Sequence, residues 1–290
     1  MSQISTRPVL YTYPSHSHSY AFCRVTDDFV DTAPSASEAT ALLKLCRQYL
    51  SRLSSPATDK NALSTPSLSA TLTDLPPASR PPFDLVSTLP IPHEPLHELL
   101  TGYDFDLLFF DPTLAPQIRS DEDLLLYASR VASSVAELCV NLVWAHDTTF
   151  PAPTTACRRE IIAAARTMGR ALQLVNIVRD VEADALVGRC YLPGVAAEDV
   201  AGGSVTLASL RPERLRLLDL ADELADASRP SIARLPRDAR GPMLAACDVY
   251  LAIGSEIRRR LVTGEDRGRA SLSKWARACV AWSAMGAARQ

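Results

Sequence analysis

Gln173-Leu-Val-Asn176-Ile-Val-Arg179-Asp180-Val-Glu-Ala-Asp184, followed by Gly188-Arg-Cys-Tyr191-Leu-Pro193, carries the clearest structural signal in this chain. On a helix Gln173, Asn176, Asp180 and Asp184 are spaced three, four and four apart, so their side chains share one face. Oxygen-bearing groups then recur every ~6 Å along the axis, a spacing suited to hard cations such as magnesium. The flanks of this acidic stripe are apolar: Leu172, Leu174, Val175, Ile177 and Val178. A helix of that kind belongs inside a protein, with its carboxylates facing a hollow and compensated by a cation or a partner.

A second stripe precedes it. Tyr20-Ala-Phe-Cys-Arg24-Val-Thr-Asp27-Asp28-Phe-Val-Asp31 places three carboxylates within one helical turn. Asp27 and Asp31 are like charges at i,i+4, which destabilise a helix unless a cation lies between them. An Asp-rich patch on one helix is ordinarily just a solvated face. Two patches at matched spacing, each set in apolar sequence beside arginine (Arg24, Arg179, Arg189), point instead to facing metal clusters. Magnesium held that way takes a few carboxylates plus substrate phosphates, and the arginines can bond phosphate oxygens.

The rest of the chain fits an all-α protein of 290 residues. It is 47% hydrophobic, has only 11 glycines, and shows long Ala/Leu/Arg-rich runs without strand-like alternation. A net charge of −3 gives no electrostatic case for nucleic acid. Seven scattered cysteines without a Cys-x-x-Cys pair read as thiols in a reducing compartment. No signal core, presequence or ~20-residue apolar run is evident, so a cytoplasmic protein is expected, with membrane contact at most peripheral.

Helices are expected at about 18–31, 36–53, 93–101, 120–144, 155–186, 212–228, 238–263 and 270–287. Ser120 and Asp123 form a capping box, Gly188 closes the long acidic helix, and Pro230, Pro236 and Pro242 act as punctuation. The Pro/Ser/Thr-rich stretch 54–95 reads as a surface loop or disordered insertion within one domain spanning 1–290. His16 and His18 in the N-terminal tail read as incidental.

The two acidic stretches, Tyr127-Ala-Ser-Arg-Val-Ala-Ser-Ser-Val135, and Arg267 to Trp275 together resemble the squalene/phytoene synthase family. The wording is nearer to phytoene synthases, of fungal type, than to squalene synthases. The resemblance implies an isoprenoid-synthase helical bundle with a central active-site cavity, joining two prenyl diphosphates (farnesyl or geranylgeranyl) through their first carbons. Asp27, Asp28, Asp31, Asn176, Asp180 and Asp184 would hold Mg2+, with Mn2+ as an alternative, so that an allylic carbon–oxygen bond ionises. A cyclopropyl intermediate then rearranges. Tyr127, Arg179 and Asp180 are the candidate catalytic residues, and Arg24, Gln173, Asn176, Arg189 and Tyr191 the candidate substrate contacts. Tyr127 reads equally well as a core tyrosine. With no anchor and no nucleotide fingerprint, proton loss is favoured over reduction by NADPH.

Two departures bear on this reading. No equivalent of the family's helix before the first motif is found ahead of Tyr20, which implies a more open site or a shortened form. Ser133 and Ala136 replace family glycines, and their volume is expected to narrow the cavity. Two other readings remain: an enzyme ionising a single prenyl diphosphate on the same scaffold, and a non-catalytic relative acting as an assembly factor. The oligomeric state is not legible.

Overall fold

A computed structural model describes residues 14–54, 68–146, 154–265 and 268–287, and among these it contains helices and no strand. The acidic stripes lie on α1 (Pro14–Asp31) and α8 (Thr155–Leu186), with α2 (Ala36–Ser54) following α1. His16 and His18 fall on α1, but their side chains lie outside what the structure describes.

Of the stretch 54–95, residues 55–67 are outside the described residues, and the remainder corrects the loop expectation. It forms α3 (Leu68–Asp74), a 3-10 turn at Pro77–Ser79 and α4 (Arg80–Ser87). The prolines mislead because Pro81 and Pro82 stand in the first turn of α4, where a missing N–H costs nothing. Phe83 on α4 is buried edge-on against Phe22 and Tyr49, and its carbonyl accepts the Tyr49 hydroxyl at 2.7 Å. This segment therefore belongs to the core.

Next come α5 (Glu94–Asp106) and α6 (Asp121–Ala128), then a π-helical turn (Ser129–Ser133) that runs straight into α7 (Ser134–His146). Ser120 caps α6 with the expected reciprocal bonds to Asp123. In the widened turn the Ser134 N–H bonds the Ser129 carbonyl, five residues back. Here the backbone meets α8 directly. A Cβ on Gly169 would lie 2.7 Å from the Ala132 carbonyl oxygen and 2.8 Å from the Ser133 Cα, so only glycine fits. The Ser133 hydroxyl donates to the Arg166 carbonyl at 2.5 Å. Ser133 thus directs its side chain at α8, not into a cavity as its position suggested.

The long α8 is ~48 Å of helix and packs on α6, α7, the π turn, α9 (Ala197–Ala201), α10 (Arg211–Ile232) and α11 (Arg237–Thr263). Pro236 caps α11, but Pro230 and Pro242 lie inside α10 and α11 and do not break them. A last helix, α12 (Lys274–Ala287), packs against α11. The apolar interior forms two main clusters. One gathers α1, α2, α4 and α5 around Phe22, Tyr49 and Phe83; the other gathers α6, α8, α10 and α11 around Leu174, Val178 and Leu217. Helix α7 packs on both α1 and α8, so the two acidic helices lie either side of the seam. No helix among the described residues is long and apolar enough to cross a membrane.

Candidate active site

Helix α8 ends in a two-bond glycine cap. Gly188 adopts φ +80° and donates to the Ala185 carbonyl at 3.0 Å, while Arg189 donates to the Asp184 carbonyl at 2.9 Å. This turn aims Arg189 back across the seam. Its Nη1 pairs with Asp31 and its Nη2 lies 3.4 Å from the Val30 carbonyl on α1, so the two acidic helices are joined through one guanidinium.

Other arginines attend the remaining carboxylates. Arg24 pairs with both Asp27 and Asp28, at 3.0 and 2.8 Å, and so relieves part of the like-charge cluster. Asp180 is gripped by two guanidiniums, each through two bonds: Arg179 at 2.9 and 2.6 Å, and Arg269 at 2.6 and 2.9 Å. Burial alone would raise the Asp180 carboxyl, but these bonds outweigh it and hold it below the usual range. Among the described residues Asp184 has no such pair. Burial and the neighbouring Asp180 push it up to about 7, against the pull of Arg189. Burial also dominates at Asp27, with Asp31 adding to it, and raises that carboxyl to about 7 although 38% of the side chain still reaches solvent.

Behind this acidic seam lies a group that sequence reasoning missed. Asp106, at the C-terminal end of α5, is only 4% exposed and accepts the Tyr191 hydroxyl at 2.8 Å. Tyr127 hydrogen-bonds to the same carboxyl. The two phenol rings stack at 4.7 Å and 19°, with Phe109 edge-on to Tyr191. Burial lifts Asp106 to about 7 despite Arg189 and the two hydroxyls, and it lifts both phenols well above their ordinary value. Tyr127 is therefore both a core residue and part of a polar relay. Burial and the neighbouring Asp106 hold its phenol above the ordinary value, which favours the protonated form.

Among the described residues no three acidic, histidine or cysteine side chains are arranged to hold a metal ion, and Asp28, Asp31 and Asp180 are each paired with a guanidinium. The donor set nevertheless fits a hard cation. Besides the carboxylates, the Asn176 side-chain oxygen is buried without any hydrogen-bond partner, and its amide lies 3.4 Å from the Gln173 oxygen on the same face. An orphaned buried acceptor beside Asp180 suits a ligand that arrives from outside the chain. Arg269 was missed as well: it lies 89 residues from its partner, and no local spacing announces the contact. The seven cysteines are all free, and Cys23, Cys46, Cys190 and Cys247 are buried.

The described helices have the fold of the isoprenoid synthases. A crystal structure of a dehydrosqualene synthase in complex with ligand superposes with a TM-score of 0.64, over 95% of this chain and 86% of that one, at 23% identity. A squalene synthase from Alicyclobacillus acidocaldarius gives 0.62, over 86% and 84%, at 22% identity. The squalene/phytoene synthase family model matches residues 16–276, and the chain belongs to that family. Its curated relatives include bifunctional lycopene cyclase/phytoene synthases. The protein of Phaeosphaeria nodorum is 37% identical over 91% of this chain and 44% of its own length; that of Colletotrichum graminicola is 38% identical over 93% and 46%. The chain spans less than half the length of these relatives. The family expected from the acidic stripes and the Tyr127 segment is the one that matches.

Proposed function

We propose that this chain condenses two isoprenoid diphosphates head to head, giving a phytoene- or squalene-like hydrocarbon. The observation that carries this reading is the pairing of the α1 and α8 acidic stripes across one seam, bridged by Arg189 to Asp31. Asp27, Asp28, Asp31, Asn176, Asp180 and Asp184 would hold magnesium, which supplies Lewis-acid stabilisation of departing diphosphate.

The chain's own residues do the rest. Arg24, Arg179, Arg189 and Arg269 already lie against the carboxylates, within reach of phosphate oxygens brought to the same place. Gln173 and Asn176 continue that face along α8. The apolar side chains of α6 and α8 flanking the stripe would exclude water from an allylic cation. Tyr127 and Tyr191 present hydroxyls backed by Asp106, a buried carboxylate balanced near neutrality and suited to take the proton lost at the end. The phytoene synthase named in the curated relatives favours this ending over reduction.

Incubation with magnesium and farnesyl or geranylgeranyl diphosphate, with and without NADPH, followed by mass analysis, tests the reading. A C30 or C40 hydrocarbon formed without NADPH is expected. A C15 or C20 product from one substrate molecule overturns it in favour of a single-diphosphate enzyme. Loss of product in Asp180→Ala and Asp184→Ala is expected, by roughly 100-fold or more, the scale for removing a group that stabilises transition-state charge. Unchanged turnover in both would indicate a role without catalysis.

A further inference from the structure

Helix α12 is attached to the protein through small residues. Ala281 and Ala284 are buried against Ala245 of α11, with Leu244, Val249 and Met285 beside them. Its outer face carries Trp275 and Trp282, which are 83% and 78% exposed. Cys279, between them in sequence, is also exposed. Residues 275, 279 and 282 recur at i, i+4 and i+7, so the two indoles stand on one side of the helix, ~10 Å apart along its axis. Two of the chain's three tryptophans are thus presented to water.

The segment that carries this face is basic. Residues 268–287 contain Arg269, Lys274 and Arg277 and no Asp or Glu, within a chain of net charge −3. Arg269 is neutralised by Asp180, and Lys274 and Arg277 give the segment a positive field. At physiological salt such a field reaches about 8 Å, enough to act from the flank of the helix. A second copy of the chain is a poor occupant. Two indoles offer roughly 300–500 Å², against the ~800 Å² per partner that a stable interface takes.

We propose that the Trp275/Trp282 face of α12 docks on a lipid bilayer carrying anionic headgroups. Tryptophan suits the boundary layer, where the ring lies among acyl chains and its N–H reaches headgroups. Lys274 and its basic neighbours add attraction to anionic lipid. The placement is informative. Arg269 reaches Asp180, and at most ~18 Å of extended chain separates it from the first residue of α12. Docking through α12 therefore sets the acidic seam close to the membrane surface. The docking surface stands on exposure and charge alone and does not depend on the chemistry proposed above.

The test mixes the protein with vesicles of phosphatidylcholine, with and without a quarter phosphatidylglycerol, and follows tryptophan emission and co-sedimentation. Anionic vesicles should shift the emission to the blue and bind roughly 10-fold or more tighter than zwitterionic ones. Lys274→Glu with Arg277→Glu, which keeps both indoles, should remove that preference. Trp275→Ser with Trp282→Ser should abolish co-sedimentation while leaving the circular dichroism unchanged. Absence of vesicle binding overturns the proposal, as does binding that survives the double tryptophan substitution. Tryptophan-dependent dimers in sedimentation velocity, without lipid binding, overturn it in favour of self-association.

Discussion

Asp106→Asn should make the metal-free protein more stable at alkaline pH, an unusual direction for a change at a buried polar group. The native carboxyl is raised from 3.8 to about 7, chiefly by burial. Between those values the folded protein retains a proton that the unfolded chain has released. Raising the pH through that window therefore costs stability, at up to about 1.4 kcal/mol per pH unit for each such group. For Asp106, 4% exposed, the full span of about three units corresponds to about 4 kcal/mol, present as a penalty above pH 7 and absent below pH 4. The substituted amide would carry no such penalty and would still accept from the Tyr127 and Tyr191 hydroxyls. It would lose the carboxylate's charge attraction to Arg189, which offsets part of the gain. Denaturant unfolding in a chelator, from pH 5 to pH 8.5, should show the parent losing stability as pH rises and the variant losing roughly 2–3 kcal/mol less. Asp184 and Asp27 impose the same sign on both proteins, with Asp27 discounted for its solvent-exposed part. A parent equally stable at both ends, or a variant weaker at pH 8.5, would refute the reasoning.

Arg189→Ala removes the guanidinium that joins α8 to α1 and leaves Asp31 without its partner. A loss of about 1.5–3 kcal/mol, the range for bonds to charged groups, is expected in denaturant midpoints, with salt narrowing the difference from the parent. Gly169→Ala forces a methyl into the Ala132–Ser133 backbone and should cost about 1–3 kcal/mol; an unchanged melting temperature would mean the helices are not in contact there. Ser120→Ala deletes the α6 cap and should cost about 1 kcal/mol, read in the same melts.

What could be seen in the sequence was whatever local periodicity encodes. The stripes of α1 and α8 announce themselves because their residues fall three and four apart on apolar helices. The Ser120 cap and the Gly188 stop are equally local signals. Asp106 carries no such mark: in Tyr103-Asp-Phe-Asp106 it looks like any surface acid, and its burial arises only when Tyr191 docks from 85 residues away. Arg269 is invisible for the same reason. The error over residues 68–87 has another origin. Proline in sequence reads as a breaker, whereas at Pro81 and Pro82 it starts a helix whose Phe83 fills the core. Pro230 and Pro242 show that long, well-packed helices absorb the loss of one internal bond. At Ser133 the residue type conveys volume without direction, and direction depends on which neighbour a wider helical turn presents.

The contact at Gly169 has a consequence for how this protein can change. Tyr127 stands six residues before Ser133, and Asn176 seven after Gly169, so both hang from a joint where main chain touches main chain. Neither helix can roll or slide there without collision. Drift in the surrounding side chains would alter the shape of the lining yet leave the phenol and the amide in fixed register. New specificities on this scaffold would thus be gained by relining, with the joint itself left alone.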